Sequence, residues 1–155
     1  MAIRLSRSSS GTLGFCALSV LFACAPAPRV SLQYGTEFKQ AEIAKVLAED
    51  PLGANENIKI TTLGQGQGVS HHLVQIRDRE KPHIHKIHDG TVVMVKGEGY
   101  LMMDNRRIDL SVGDIVYIPR GAVHSFVNTA SDPSVAFVVF SPPFDGKDTV
   151  PAEKP

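Results

Sequence analysis

The chain has 155 residues, which fits a single domain. Its 16 basic and 16 acidic residues balance, there is no Trp, and no block of like charge stands out. That composition argues against nucleic acid as a partner and against a polybasic membrane patch.

The N-terminus comes first. Arg4 and Arg7 stand in a Ser-rich start, and the apolar run "LGFCALSVLFAC" extends from Leu13 to Cys24. At about 1.5 Å per residue, this run is too short to cross a hydrocarbon core of about 30 Å. A charged start, a short apolar centre and small residues at its end make a secretory signal.

The closing "LFAC" resembles the lipobox of bacterial lipoproteins, which implies a cut before Cys24 and a lipid on that residue. The expected divisions are a signal peptide over 1–23 and a lipid-anchored tether over 24–35. Ordinary cleavage at an A-x-A-like site is one alternative, although "ACAPAP" puts Pro close behind such a cut. A non-cleaved anchor is another, although no charge stops the run promptly. With Cys16 removed and Cys24 lipidated, the folded part has no thiol and no disulfide, which excludes thiolate metal sites and Cys nucleophiles. Loss of Arg4 and Arg7 leaves the acidic residues two ahead. Such a protein would be secreted across the inner membrane into the periplasm or cell envelope, touching membrane only through its anchor.

The stretch 36–56 reads as a helix and connector. In "TEFKQAEIAKVLAED", Phe38, Ala41, Ala44 and Leu47 recur every three residues, Asp50 before Pro51 marks the stop, and "DPLGANEN" is turn-rich. From 57 to 143 the chain reads as short strands. "IKITTL" alternates, "HHLVQIR" is rich in strand formers, and "TVVMVKG" is nearly continuous in apolar residues. "GYLMMDNRRIDL" predicts a hairpin turning at Asp104 and Asn105, and "DIVYIP", "HSFVN" and "VAFVVFS" follow at regular spacing. Many short strands and one peripheral helix predict an all-β sandwich or barrel. "GQGQG" precedes a strand rather than a helix, so it reads as a turn and not a phosphate loop. The tail over 144–155, rich in Pro and polar residues, is expected on the surface or disordered.

"KPHIHKIHDG" carries His83, His85 and His88. Residues i and i+2 of a strand share a face, so His83 and His85 can present two imidazoles to one metal ion. Two His are a weak signal, because an ion normally takes at least a third protein ligand. Downstream, "GDIVYIPRGAVHSFVN" sets Gly113, Pro119, Gly121, His124 and Asn128 at fixed intervals.

Together these stretches resemble the two motifs of the cupins, small antiparallel barrels with a metal at the centre. Their first motif runs HxH, three or four residues, Glu, six residues, Gly. Their second runs Gly, five residues, Pro-x-Gly, two residues, His, three residues, Asn. The second is matched throughout, and the first at His83, His85 and Gly97. The resemblance spans about Val69 to Ser141. It implies a double-stranded β-helix, or jelly-roll barrel, in which His83, His85 and His124 ligate a divalent transition metal: Fe, Mn, Ni, Zn or Cu.

One position departs. Counting back from Gly97 puts Gly90 where many cupins carry Glu. Either Asp89 serves as the carboxylate, or the site has His ligands only. Period two turns Asp89 outward, which favours three His. That set resembles the cupins that include thiol dioxygenases and some diketone-cleaving dioxygenases. Imidazole ligates when neutral, so binding should weaken as the pH falls through about 6.5.

Around this set, His88 is a candidate catalytic acid or base or a spare ligand, with a solvated loop residue as the bland alternative. His72 shares a face with Val74 and Ile76 and can stand behind the ligands, with His71 pointing out. Gln75 is expected at a sheet edge or in solvent. Val92 and Met94 continue the inward face from Gly90, while Tyr100, Tyr117 and Arg120 could reach the mouth. Phe126 and Phe137 read as core.

The expected function is a metal-dependent enzyme acting on a small organic molecule, dioxygenase-like, with isomerase or lyase chemistry as variants. The alternative is a non-catalytic module that binds a small molecule or sugar through its metal. A homodimer stays open.

Overall fold

The computed structural model describes residues 27–152, so the signal, Cys24 and the last three residues lie outside it. Its described part opens on a hairpin, β1 (Arg29–Tyr34) and β2 (Glu37–Glu42), followed by α1 (Ile43–Glu49). Strands β3 (Ile58–Gln65), β4 (Ser70–Ile76), β5 (His83–Ile84) and β6 (Asp89–Lys96) come next. They are followed by β7 (Gly99–Met103), β8 (Arg106–Leu110), β9 (Ile115–Ile118), β10 (His124–Asn128), β11 (Ser134–Ser141) and β12 (Val150–Pro151).

Two five-stranded antiparallel sheets face each other, in the orders β3-β4-β11-β6-β9 and β12-β5-β10-β7-β8. The expected all-β jelly roll is what the chain forms. The predicted hairpin turns where expected, with Asp104 at φ 50° between β7 and β8.

Burial on both faces explains why β11 runs apolar from Val135 to Phe140 without a break, and β4 beside it alternates its two faces in the same way. Val74, Ile76, Ala136, Val138 and Phe140 face the interior between the sheets. Leu73 and Val135 face the other way, where Ile43, Val46 and Leu47 of α1 cover them. A strand buried on both faces has no polar alternation to show. Each such large apolar side chain, Leu73 among them at 0% exposure, stabilises the fold by about 1.5–3 kcal/mol through burial.

The N-terminal expectation needs correcting. The segment read as tether forms β1, and the helix expected over 36–50 is confined to Ile43–Glu49. Gly35, at φ +60°, turns the chain so that Tyr34 pairs Glu37 and Arg29 pairs Glu42. The every-third-residue pattern lost to that cross-strand pairing, and Phe38 is left 60% exposed on β2. Gln75 is also buried rather than at an edge: it accepts from Leu52 N–H and donates to the Asp50 carbonyl, tying the connector onto the sheet.

The tail is corrected as well. Phe144 is buried in the main core, and β12 pairs with β5, Val150 against Ile84 and Pro151 against His83. Among the described residues no helix is long and apolar enough to cross a membrane.

Candidate metal centre

Two strands bring the imidazoles together. His83 opens β5, His85 follows directly after its last residue, and His124 opens β10 directly opposite His83. All three are buried. The ring of His124 lies 4.2 Å from that of His83 and 5.2 Å from that of His85, centroid to centroid. One ring nitrogen from each falls within 4.8 Å of the other two.

The opposite ring nitrogens show how the cluster is oriented. Nδ1 of His83 reaches the Lys81 carbonyl at 2.9 Å, and Nδ1 of His124 reaches the Ala122 carbonyl at 3.0 Å. Nδ1 of His85 reaches the Asp148 carbonyl at 2.5 Å. A carbonyl only accepts, so each Nδ1 must carry the proton. A neutral ring protonated there keeps a lone pair on Nε2. Burial pushes His124 down to about 4, helped by the neighbouring His83, and burial likewise lowers His85. The cluster therefore turns Nε2, not the protonated nitrogen, inward.

It borders a cavity of about 420 Å³ between the sheets. The wall opposite the imidazoles includes Val92, Met94, Ile118, Val138 and Phe140, so Val92 and Met94 face inward as read. Gly90 is part of the same wall, where an added Cβ would meet Phe140 at 3.6 Å, an ordinary contact.

Asp89 faces away. Its carboxylate takes the Arg120 guanidinium and backbone N–H, and Arg120 holds it down to about 2. Tyr100 lies under the Arg107 guanidinium, 4.0 Å from ring centroid to charge, and Tyr117 is exposed; none of these three borders the cavity. His72 is buried behind the site, its ring edge-on to Phe140 and Phe144, both of which touch His85.

His88 stands elsewhere than expected. It is only 2% exposed, and it does not line the cavity. Nδ1 pairs with Asp148 at 2.7 Å and Nε2 with the Pro143 carbonyl at 3.1 Å, so both ring nitrogens are engaged within the protein. It clamps the tail to the loop after β5 instead of facing a ligand.

Two residues went unread in the sequence. Asp148 accepts from Lys86 N–H, Ile87 N–H and His88 while its carbonyl fixes His85. Glu80 lines the cavity just ahead of the metal-type strand and accepts from Phe126 N–H at 3.0 Å. Burial raises its carboxyl, with His83 and that N–H pulling the other way. Its oxygens fall outside the imidazole cluster, so it neighbours the three His without joining them. A lone Glu after "RDR" carries the signature of a surface bend, and nothing local marks it as inward.

A family model described as a cupin domain matches residues 70–140. An uncharacterized protein of Aquifex aeolicus is 38% identical over 115 residues, covering 74% of this chain and 94% of its own. The chain is a cupin. Its barrel is similar to the structure of KdgF from Halomonas sp., with TM-score 0.57 at 25% identity over 63% of this chain and 91% of that one. It is also similar in fold to TT1209 from Thermus thermophilus, with TM-score 0.58 at 20% identity, covering 67% and 98%. What sets this cupin's centre apart is the absent motif carboxylate: Gly90 is wall, Asp89 belongs to Arg120, and three imidazoles remain.

Proposed function

We propose that His83, His85 and His124 hold one divalent transition metal ion through Nε2, in an enzyme that acts on a small organic molecule. The observation that carries this reading is the set of three Nδ1-to-carbonyl bonds, which turns three Nε2 lone pairs toward a largely apolar cavity. Such an ion supplies Lewis acidity at its open positions. The chain's own part is to orient the rings and to line the ligand space with hydrocarbon. A binding module without turnover is the rival. Glu80 supports the enzyme, because it gives the cavity a carboxylate able to take up a proton.

The dioxygenase form uses molecular oxygen as oxidant. Metal analysis of the purified protein, followed by oxygen uptake with a panel of small enolisable acids and ketones, tests it. Stoichiometric metal with uptake is expected; a preparation free of transition metal overturns the reading.

Gly90→Glu should tighten binding of hard divalent ions and alter the spectrum of a bound cobalt probe. There is room for the Cβ, and the adjoining Phe140 ring lies 5.1 Å from that of His85. An unchanged spectrum would place Gly90 out of reach of the ion. Asp89→Ala should leave metal content alone, because Asp89 is engaged with Arg120.

We also propose export and lipidation at Cys24, supported by "LFAC" at the end of the apolar run. Mass spectrometry of the N-terminal peptide tests it, and a start at any other residue counts against it.

A further inference from the structure

The cavity offers a ligand two unlike kinds of wall. Over much of it Val74, Val92, Met94, Val116, Ile118 and Val138 present hydrocarbon alone. The polar groups bordering that part are committed. Ser134 Oγ donates to Asn128 Oδ1 at 2.6 Å. The Asn57 amide donates to the Arg79 carbonyl and accepts from Asp78 N–H. Arg79, Lys81 and Thr149 are exposed, at the solvent edge of the lining. A sugar, with a hydroxyl on nearly every carbon, would bury most of its donors there without partners.

Glu80 breaks the pattern. Its Oε2 accepts from Phe126 N–H, while Oε1 makes no hydrogen bond among the described residues. Phe126 and His124 are two apart on β10 and share its inward face, so the carboxylate is held beside the imidazole cluster. Size follows from volume. An apolar cavity of about 150 Å³ holds one benzene ring, so 420 Å³ accommodates a body of two fused rings.

We propose that the cavity takes a small hydrocarbon-bodied molecule with a single protic oxygen head, and that Glu80 Oε1 accepts the hydrogen bond from that head. For the other contact of the head, at the imidazoles, this rests on the metal reading above. The wall selects the body and Glu80 selects a hydroxyl over an ether. Sugars are excluded.

Fluorescence titration with 2-naphthol tests this cleanly, since the chain has no Trp. At about pH 8, 2-naphthol should bind about tenfold tighter than 2-methoxynaphthalene, the ratio expected of one hydrogen bond to a carboxylate acceptor. D-glucose should not compete. Glu80→Gln keeps an oxygen for Phe126 N–H but turns an amide N–H₂ toward the cavity. It should erase the preference for the hydroxyl while leaving the ether's affinity unchanged.

Competition by glucose, failure of both naphthalenes to bind, or a preference that survives Glu80→Gln overturns the inference. Equal weakening of both ligands in the variant also overturns it, because that marks Glu80 as structural. Metal content of the same samples separates the two readings. Metal-loaded protein that lacks these preferences sinks this inference alone, and metal-free protein that keeps them sinks the metal reading alone.

Discussion

Alanine at His83, His85 or His124 is expected to strip the protein of its ion, lowering affinity by roughly a hundredfold or more, at or beyond the loss usual for removing a supporting partner of a ligand. Each substitution takes away one of three lone pairs and leaves a carbonyl, of Lys81, Asp148 or Ala122, without its ring N–H. His71→Ala should keep full occupancy, because His71 points to the outer face and bonds Tyr34 there. Metal content after dialysis against a weak chelator decides it. Full occupancy in any one of the three variants would break the site.

The same imidazoles set an acid limit. Their ordinary titration near 6.5 suggested metal loss at that pH, but burial moves His124 down to about 4. Protons therefore compete for this ring only well below neutrality. In metal-free protein the sign is fixed by linkage: between 6.5 and about 4 the unfolded chain takes up a proton that the folded one refuses. Stability is full above 6.5 and falls as pH drops through that window, by at most about 3 kcal/mol for this ring. Urea midpoints measured across that range after chelation should fall toward acid, and a flat profile would refute the assignment.

Asp148→Ala is expected to cost on the order of 3–5 kcal/mol, an effect out of scale for a residue so near the C-terminus. Burial alone would raise this carboxyl. Ile87 N–H, the His88 ring and Lys86 N–H together hold it well below the usual carboxylate range, so the folded state binds the charged form strongly. Removing it leaves two backbone N–H groups and a buried ring N–H without their acceptor. The segment that places the Asp148 carbonyl on His85 then loses its hold, so metal content should fall along with stability. Lys147→Ala, one residue away and exposed, should stay within about 0.5 kcal/mol. Equal urea midpoints for Asp148→Ala and wild type would show that the clamp does not hold the tail.

What could be read in advance follows the range of each interaction. The His pair, the turn at Asp104 and the outward phase of Asp89 depend on neighbours in the chain, and period two predicts them. The hairpin at Gly35 was missed because a short segment satisfies several periods and only its partner strand decides among them. His88 and Asp148 lie 60 positions apart, so neither sequence neighbourhood reveals the pair. Glu80 faces inward because Phe126 N–H draws it there, and no local pattern records that bond. The two motifs were legible because their spacings serve the metal-type geometry itself.

The carbonyls behind the three rings carry a consequence for how this centre tolerates mutation. Each ring is oriented by main chain, and the carbonyls of Lys81 and Ala122 remain whatever side chain those positions bear. Replacements there that preserve the path of the backbone leave the lone pairs where they are. Drift is therefore harmless at two of the three supports. At Asp148, where a side chain holds the backbone in place, it is not.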